Sequence, residues 1–279
     1  MFQRLQNSWE LVKASWSVLM ADKELLVFPI ISFVASLVVI ATFAIPTFLA
    51  GVFDAAVADG VPILGYLVGF AFYVVMYTVT IFSNAAVVGA ANIRLKGGDP
   101  TIGDGLRIAA QHFGAILGYA MISATVGMIL RNLSEKAGIL GRIVISLIGM
   151  VWNVATYLVV PVLVVEGVGP IDGIKRSAEL LKETWGEQIA GNFGIGMVFG
   201  WLGFAVVLVS IPGIVLAVMA NQIWLVIMVV LLMVAALILL ALISSTLSGI
   251  YTAALYRYAT TGEAELFDAA LIEKTFKQK

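Results

Sequence analysis

Cysteine is absent from this chain and histidine occurs once, at position 112. The first absence excludes disulfides, iron–sulfur clusters and thiolate zinc sites. The second leaves little for a metal centre or a histidine-dependent triad, because no carboxylate stands at ligand spacing from His112. Charge is scarce too: Asp, Glu, Lys and Arg make up 12% of 279 residues, with a formal net charge of −1 and no basic block. A nucleic-acid partner is therefore not expected. No glycine loop stands beside a Lys and a Ser or Thr, so an ATP-cradling element is not expected either. No metal, cofactor or enzymatic activity is expected.

What the chain has is apolar length. Hydrophobic residues are 61% of it and the mean hydropathy is +1.05. No charge occurs from Ile143 to Val165, nor between Glu187 and Arg257, and roughly 20 apolar residues suffice to span a bilayer core. The pattern predicts an all-α polytopic membrane protein: six transmembrane helices as three hairpins, with amphipathic cytoplasmic surface helices. One integral membrane domain covers 1–279. An interfacial helix occupies 1–20, the six-span bundle 25–260 with interfacial helices near 101–113 and 170–187, and a cytoplasmic tail 261–279. The spans are read at about 25–49, 64–91, 114–130, 143–165, 191–219 and from 223 onward. Asn221 and Gln222 make a tight turn between the last two. The sixth span, uncharged to Tyr256, is too long for one straight crossing and must tilt, bend or emerge. The first 20 residues show no cleavage site, so the N-terminus is expected to be kept.

Periodicity separates the surface helices from the spans. After Gly167, Gly169 and Pro170, the residues Ile171, Ile174, Ala178, Leu181 and Trp185 recur at steps of three and four. Charged residues from Asp172 to Glu187 fill the other side. Phe2, Leu5, Trp9, Val12, Trp16 and Leu19 form a similar stripe near the start, and Ile102, Leu106, Ala109, Phe113 and Leu117 a weaker one. Trp9, Trp16, Ile174, Leu181 and Trp185 are the expected interfacial anchors, since an indole can keep its N–H wet with its body buried. Pro46, Pro161 and Pro212 are expected hinges. Pro161 in particular removes the donor that would serve the Tyr157 carbonyl.

A repeat of one surface helix and two spans is visible three times. Ala90-Ala91-Asn92-Ile93-Arg94 before Gly98 resembles Ala253-Ala254-Leu255-Tyr256-Arg257 before Gly262, and Asp104-Gly105 resembles Asp172-Gly173. Thirteen Lys and Arg fall on the side of both termini, and only Arg131, Lys136 and Arg142 on the other. The expected location is a prokaryotic plasma membrane with both termini cytoplasmic.

Polar residues inside the spans lie on the even ones: Tyr77, Thr80 and Asn84, then Asn153 and Tyr157, then Ser245 and Ser248. They read either as interhelical hydrogen bonds or as a polar path toward the cytoplasm. No Asp, Glu, Lys or Arg is embedded at depth, which disfavours a carboxylate proton relay. Gly196, Gly200, Gly203, Gly65 and Gly69 allow close helix approach, within one protomer or in self-association. Membrane lipids are the expected partners. Any small-molecule substrate is left unnamed.

Pro161, Glu166, Gly169 and Pro170 with Ile174-Lys175-Arg176-Ser177, and Trp9, Lys13-Ala14-Ser15-Trp16 with Asp22-Lys23-Glu24-Leu25, carry a resemblance. They look like elements of a group of uncharacterised prokaryotic multi-spanning proteins. That group resembles the membrane domain attached to some glycerophosphodiester phosphodiesterases. No stretch here corresponds to their soluble catalytic domain, so the resemblance implies no activity. The readings that follow are a non-enzymatic solute path or channel-like bundle and, as the alternative, a structural or lipid-interacting protein that organises the cytoplasmic leaflet.

Overall fold

A computed structural model describes residues 2–49, 63–185 and 194–262, all of them helix or short turn. The loop carrying Asp54 and Asp59, Glu187, and the tail with Lys274, Lys277 and Lys279 lie outside the described residues. The helices in order are α1 (Phe2–Ala21), a 3-10 turn (Lys23–Leu26), α2 (Val27–Leu49), α3 (Ile63–Leu95), α4 (Ile102–Gln111) and α5 (Phe113–Lys136). They continue as α6 (Ile139–Ala155), α7 (Val159–Glu166), α8 (Pro170–Trp185), α9 (Gly194–Met219) and α10 (Ile223–Thr261). Among the described residues, six stretches are long and apolar enough to cross a bilayer: 23–48, 65–95, 113–136, 139–166, 198–219 and 223–261. The chain is a multi-pass membrane protein. Helix is the form such sequences take because hydrocarbon offers no partner to a backbone N–H or carbonyl.

The packed core lies at one end of the bundle. It gathers Leu11 and Val18 of α1, Phe28 at the start of α2, Ala85–Ala91 of α3, Ala109 of α4, Val159–Val164 of α7 and Leu247–Leu255 of α10. Away from it the spans expose large apolar side chains, among them Val38, Leu67, Val151, Val209 and Leu231. α6 buries none of its residues. Side chains of this kind need lipid against them.

This arrangement resolves the long sixth span. α10 runs unbroken for 39 residues, about 58 Å at 1.5 Å per residue, and its segment from Thr246 to Tyr256 is buried inside the packed end. It emerges from the bilayer into protein. α3 does the same with 33 residues. Gly97 (φ 78°) and Gly262 (φ 73°) close the two helices in the left-handed conformation that glycine adopts at least cost. Asn221 (φ 53°) makes the α9–α10 turn, as its sequence predicts. α9 packs along α10 and α2 along α3, but α5 packs more on α3 than on α6. The middle pair is therefore less of a hairpin than the repeat implies.

Two expected faces are turned. On α1 the buried side is Leu11, Val12, Ser15, Val18 and Leu19, whereas Trp9 and Trp16 point outward, 48% and 43% exposed, beside Lys13. Small Ser15 permits close docking where an indole would hold the helices apart and strand its N–H. On α8 the buried side is Gly173, Ser177, Leu180 and Leu181, and Ile171 is 60% exposed. Small residues again set the docking side, and apolar periodicity alone does not weigh them.

Candidate functional site

The packed end is held by two polar clamps, each formed by one of the two sequence patches singled out above. The first joins the entry of α2 to the end of α3. Asp22, 6% exposed, meets Arg94 through Nε and again through Nη2 at 3.0 Å, while Arg94 also donates to the carbonyls of Ala21 (3.1 Å) and Gly98 (3.2 Å). Burial pushes the Asp22 carboxyl above the usual carboxylate range, against the opposing pull of Arg94. Two residues on, Glu24 accepts from the Ile102 N–H at 3.1 Å, serving an otherwise unpaired donor at the start of α4. Thr101 and Asp104 complete a capping box there, and the hydrogen bonds from Thr101 hold the Asp104 carboxyl below its usual range.

The second clamp spans the break in the fourth span. The helix does not kink at Pro161; it stops at Ala155, turns through Thr156–Leu158 and restarts as α7 with Pro161 in its first turn. The ring of Pro161 crowds the Tyr157 carbonyl and disfavours helical backbone just before it, so the chain yields upstream of the proline. The turn frees the Leu158 N–H, and Ser177 Oγ of α8 accepts it at 3.0 Å in a fully buried position. At the other end of α7, Glu166 Oε1 accepts from Tyr256 Oη (3.0 Å) and Arg176 Nε (3.4 Å). Gly173 is the contact point, since a Cβ there would lie 2.7 Å from Leu163 Cδ2. His112 is a helix-end residue between α4 and α5, its Nδ1 bonded to the Ile108 carbonyl at 2.8 Å.

Ser177→Ala removes the acceptor without adding bulk, leaving a buried N–H. We expect a loss of about 1–3 kcal/mol and faster exchange of the Leu158 amide, read by hydrogen exchange in detergent. Unchanged exchange at that amide would remove Ser177 from the clamp.

The expected polar path is scattered. Thr80, Asn153 and Ser245 are exposed and Tyr77 is 37% exposed, while Asn84, Tyr157 and Ser248 are half-buried. Thr80 Oγ1 donates to the Met76 carbonyl of its own helix at 2.9 Å. Tyr157 pairs with Thr252, and Asn84 faces Gly249 of α10. Asn153 borders a cleft of about 450 Å³ shared with Arg142 and Ser146. Of the hinges, Pro46 and Pro212 sit inside unbroken helices. Of the anchors, Trp9 and Trp16 face outward, Ile174 is half-buried, and Leu181 is 2% exposed within the protein core. The side chain of Trp185 lies outside what is described. A methyl group added at Gly69, Gly196 or Gly200 would meet nothing within 4 Å among the described residues, and one at Gly203 only Leu237, so close packing there does not use the first three.

Sequence reasoning missed Ser177, Gly105 and the Asp22–Arg94 pair as positioning residues. Asp104-Gly105 and Asp172-Gly173 were the available signal, because the glycine after each acid is where the short helix touches its span. Two lateral clefts are also present: one between α2 and α3 of about 310 Å³, lined by apolar side chains with Ser32, Thr78 and Ser83, and one between α9 and α10 of about 540 Å³, lined by apolar side chains with Ser210. Such clefts suit hydrocarbon better than ions or water.

Residues 63–266 match a family of unknown function (DUF6159). No curated protein and no solved structure matches the chain. The chain belongs to that family of unknown function.

Proposed function

We propose that this family member is a non-enzymatic, lipid-interacting protein of a prokaryotic plasma membrane, with both termini cytoplasmic, that organises the cytoplasmic leaflet around its packed end. The observation that carries this reading is α1. One face is locked into the bundle through Leu11, Ser15 and Val18, yet Trp9, Trp16 and Met20 stand exposed on the other, with Lys13 Nζ 6.0 Å from the Trp9 ring. Protein packing does not account for those side chains, and a headgroup region does. Much of the charge at this end is engaged within the protein: Asp22 with Arg94, Glu166 with Arg176 and Tyr256, Glu24 with α4. Apolar insertion therefore dominates the contact with lipid.

The test is fluorescence depth. In liposomes, lipids brominated high in the chain are expected to quench the wild-type signal more than lipids brominated at the chain end, and Trp9→Phe with Trp16→Phe should remove most of that difference. Equal quenching at both depths would leave α1 outside the interface. The solute-path reading draws support from the polar contacts of Asn84 and Tyr157, and it predicts a flux abolished by Asn84→Leu with Asn153→Leu. The comparisons give no support to the expected resemblance to a phosphodiesterase membrane domain, and neither reading draws on it.

A further inference from the structure

Lipid accounts for the exposed apolar side chains of α6, but not for its polar ones. Ile139, Arg142, Ser146, Gly149 and Asn153 recur at steps of three, four, three and four. They therefore share one seam of the helix, the 3.5-residue repeat that two helices present to each other in a left-handed coiled coil. No residue of α6 is buried. Along the seam Ile139 is 80% exposed, Arg142, Ser146 and Asn153 are exposed, and Gly149 is half-buried. α5 borders it through Leu130 and Ser134, across a cleft of about 450 Å³.

Asn153 shows what kind of cover the seam needs. It lies about 21 Å along the span from Ile139 at 1.5 Å per residue, inside a hydrocarbon core of about 30 Å. Hydroxyls in other spans turn back on their own helix, Thr80 to the Met76 carbonyl and Ser210 to that of Val206. A carboxamide carries two donors and an acceptor, which one such bond does not satisfy. Asn84 of α3 faces α10 at Gly249, whereas Asn153 has no hydrogen-bond partner among the described residues. An acyl chain offers it none.

A second α6 does. Carboxamide and hydroxyl are each donor and acceptor, so across a two-fold axis normal to the bilayer Asn153 meets Asn153 and Ser146 meets Ser146, each complementary to itself. Gly149 lies between them, and a Cβ there would meet Leu130 Cδ1 at 3.8 Å, an ordinary contact within the protomer that leaves the seam side open to a close approach. Arg142, at the aqueous end, is drawn toward α5 because its Nε donates to the Ser134 carbonyl at 3.3 Å. A lone asparagine on such a seam is a known means of fixing register and copy number.

We propose that α6 is a self-association face on which two copies of this chain pair in parallel through Ser146, Gly149 and Asn153. The proposal is independent of the lipid-interacting reading. Gly196 and Gly200 of α9 also leave open space, but the hydroxyl further along that helix, on Ser210, is already satisfied, so lipid suffices there.

The chain has no cysteine, so single cysteines report the face directly. Under mild oxidation in membranes, Ser146→Cys and Gly149→Cys should give disulfide-linked dimers, whereas Val144→Cys and Val151→Cys, on the opposite side of α6, should not. Energy transfer between labelled copies diluted in liposomes measures the dimer itself. There Asn153→Leu should raise the dissociation constant about tenfold, and Asn153→Gln should restore most of the loss. Equal crosslinking on both sides would mark random collision and overturn the face. A chain that stays monomeric at every dilution would mean that lipid covers α6, and overturns it too. Crosslinking confined to the seam with a dissociation constant unchanged by Asn153→Leu overturns the part given to Asn153. None of these results bears on the Trp9 and Trp16 depth measurement, so the two readings fail separately.

Discussion

Arg94→Ala is expected to cost the folded protein about 3–5 kcal/mol at pH 8, because it leaves a buried carboxylate without its partner. Asp22 is 6% exposed, and Arg94 ties it to the backbone of two elements, at Ala21 and Gly98. The loss should depend on pH in a direction that can be worked out. Burial raises the Asp22 carboxyl above its unfolded value of 3.8, and Arg94 opposes that rise. For a carboxyl raised in the folded state, the stabilisation is fully present below the unfolded value and is lost as pH rises through the folded one. Removing Arg94 removes the opposing pull and lifts the folded value further. The deficit of Arg94→Ala relative to wild type should therefore be largest at pH 8 and shrink toward pH 5. Unfolding by denaturing detergent at both pH values measures it. Arg94→Lys keeps the charge without the fork that reaches both carboxylate oxygens, so it should rescue only in part. A deficit that is the same at both pH values would place the role of Arg94 in its backbone contacts alone.

Gly105→Leu is expected to dislodge α4. A Cβ at position 105 would overlap the Phe28 ring and lie 2.9 Å from the Ala86 carbonyl oxygen. The ring can turn, but the backbone oxygen cannot, so the helix itself must move. Overpacking of this kind costs about 1–3 kcal/mol and occasionally more, and here it also draws Ile102 away from Glu24. Gly173→Ala is the contrast. Its Cβ would meet Leu163 Cδ2 at 2.7 Å, the free end of a side chain that can rotate, and the cost should be under about 1.5 kcal/mol. Thermal melting in detergent orders the two. Proteolysis in the Lys96–Pro100 turn reports whether α4 has come away. Equal melting temperatures would mean that α3 and α4 have room to separate.

The two variants sit where sequence was least informative. Asp104-Gly105 and Asp172-Gly173 stand out as a pair in the chain, and an acid near a helix start complements the dipole, so capping is a sufficient account of the acid. Nothing local says that the following glycine touches another helix, since that depends on where α3 and α7 lie. The anchors divide for the same reason. Leu181 and Trp9 belong to similar apolar stripes, yet Leu181 is inside the protein and Trp9 outside it.

Apolar length by itself determined the class. An uncharged run as long as that from Glu187 to Arg257 leaves the backbone no partner but its own helix, and the spacing of Pro161, Gly167, Pro170 and Asn221 marks where helices must end or turn. Those are local rules, each satisfied by neighbouring residues. Tertiary structure alone decided which face of α1 and α8 turns inward, that the final turns of α3 and α10 leave the spans to form a packed end, and that Asp22, Arg94, Glu166 and Ser177 are clamps. A buried polar group takes its role from its partner, and these partners lie 72 residues away for Arg94, 90 for Tyr256 and 19 for Ser177, beyond the reach of any periodicity.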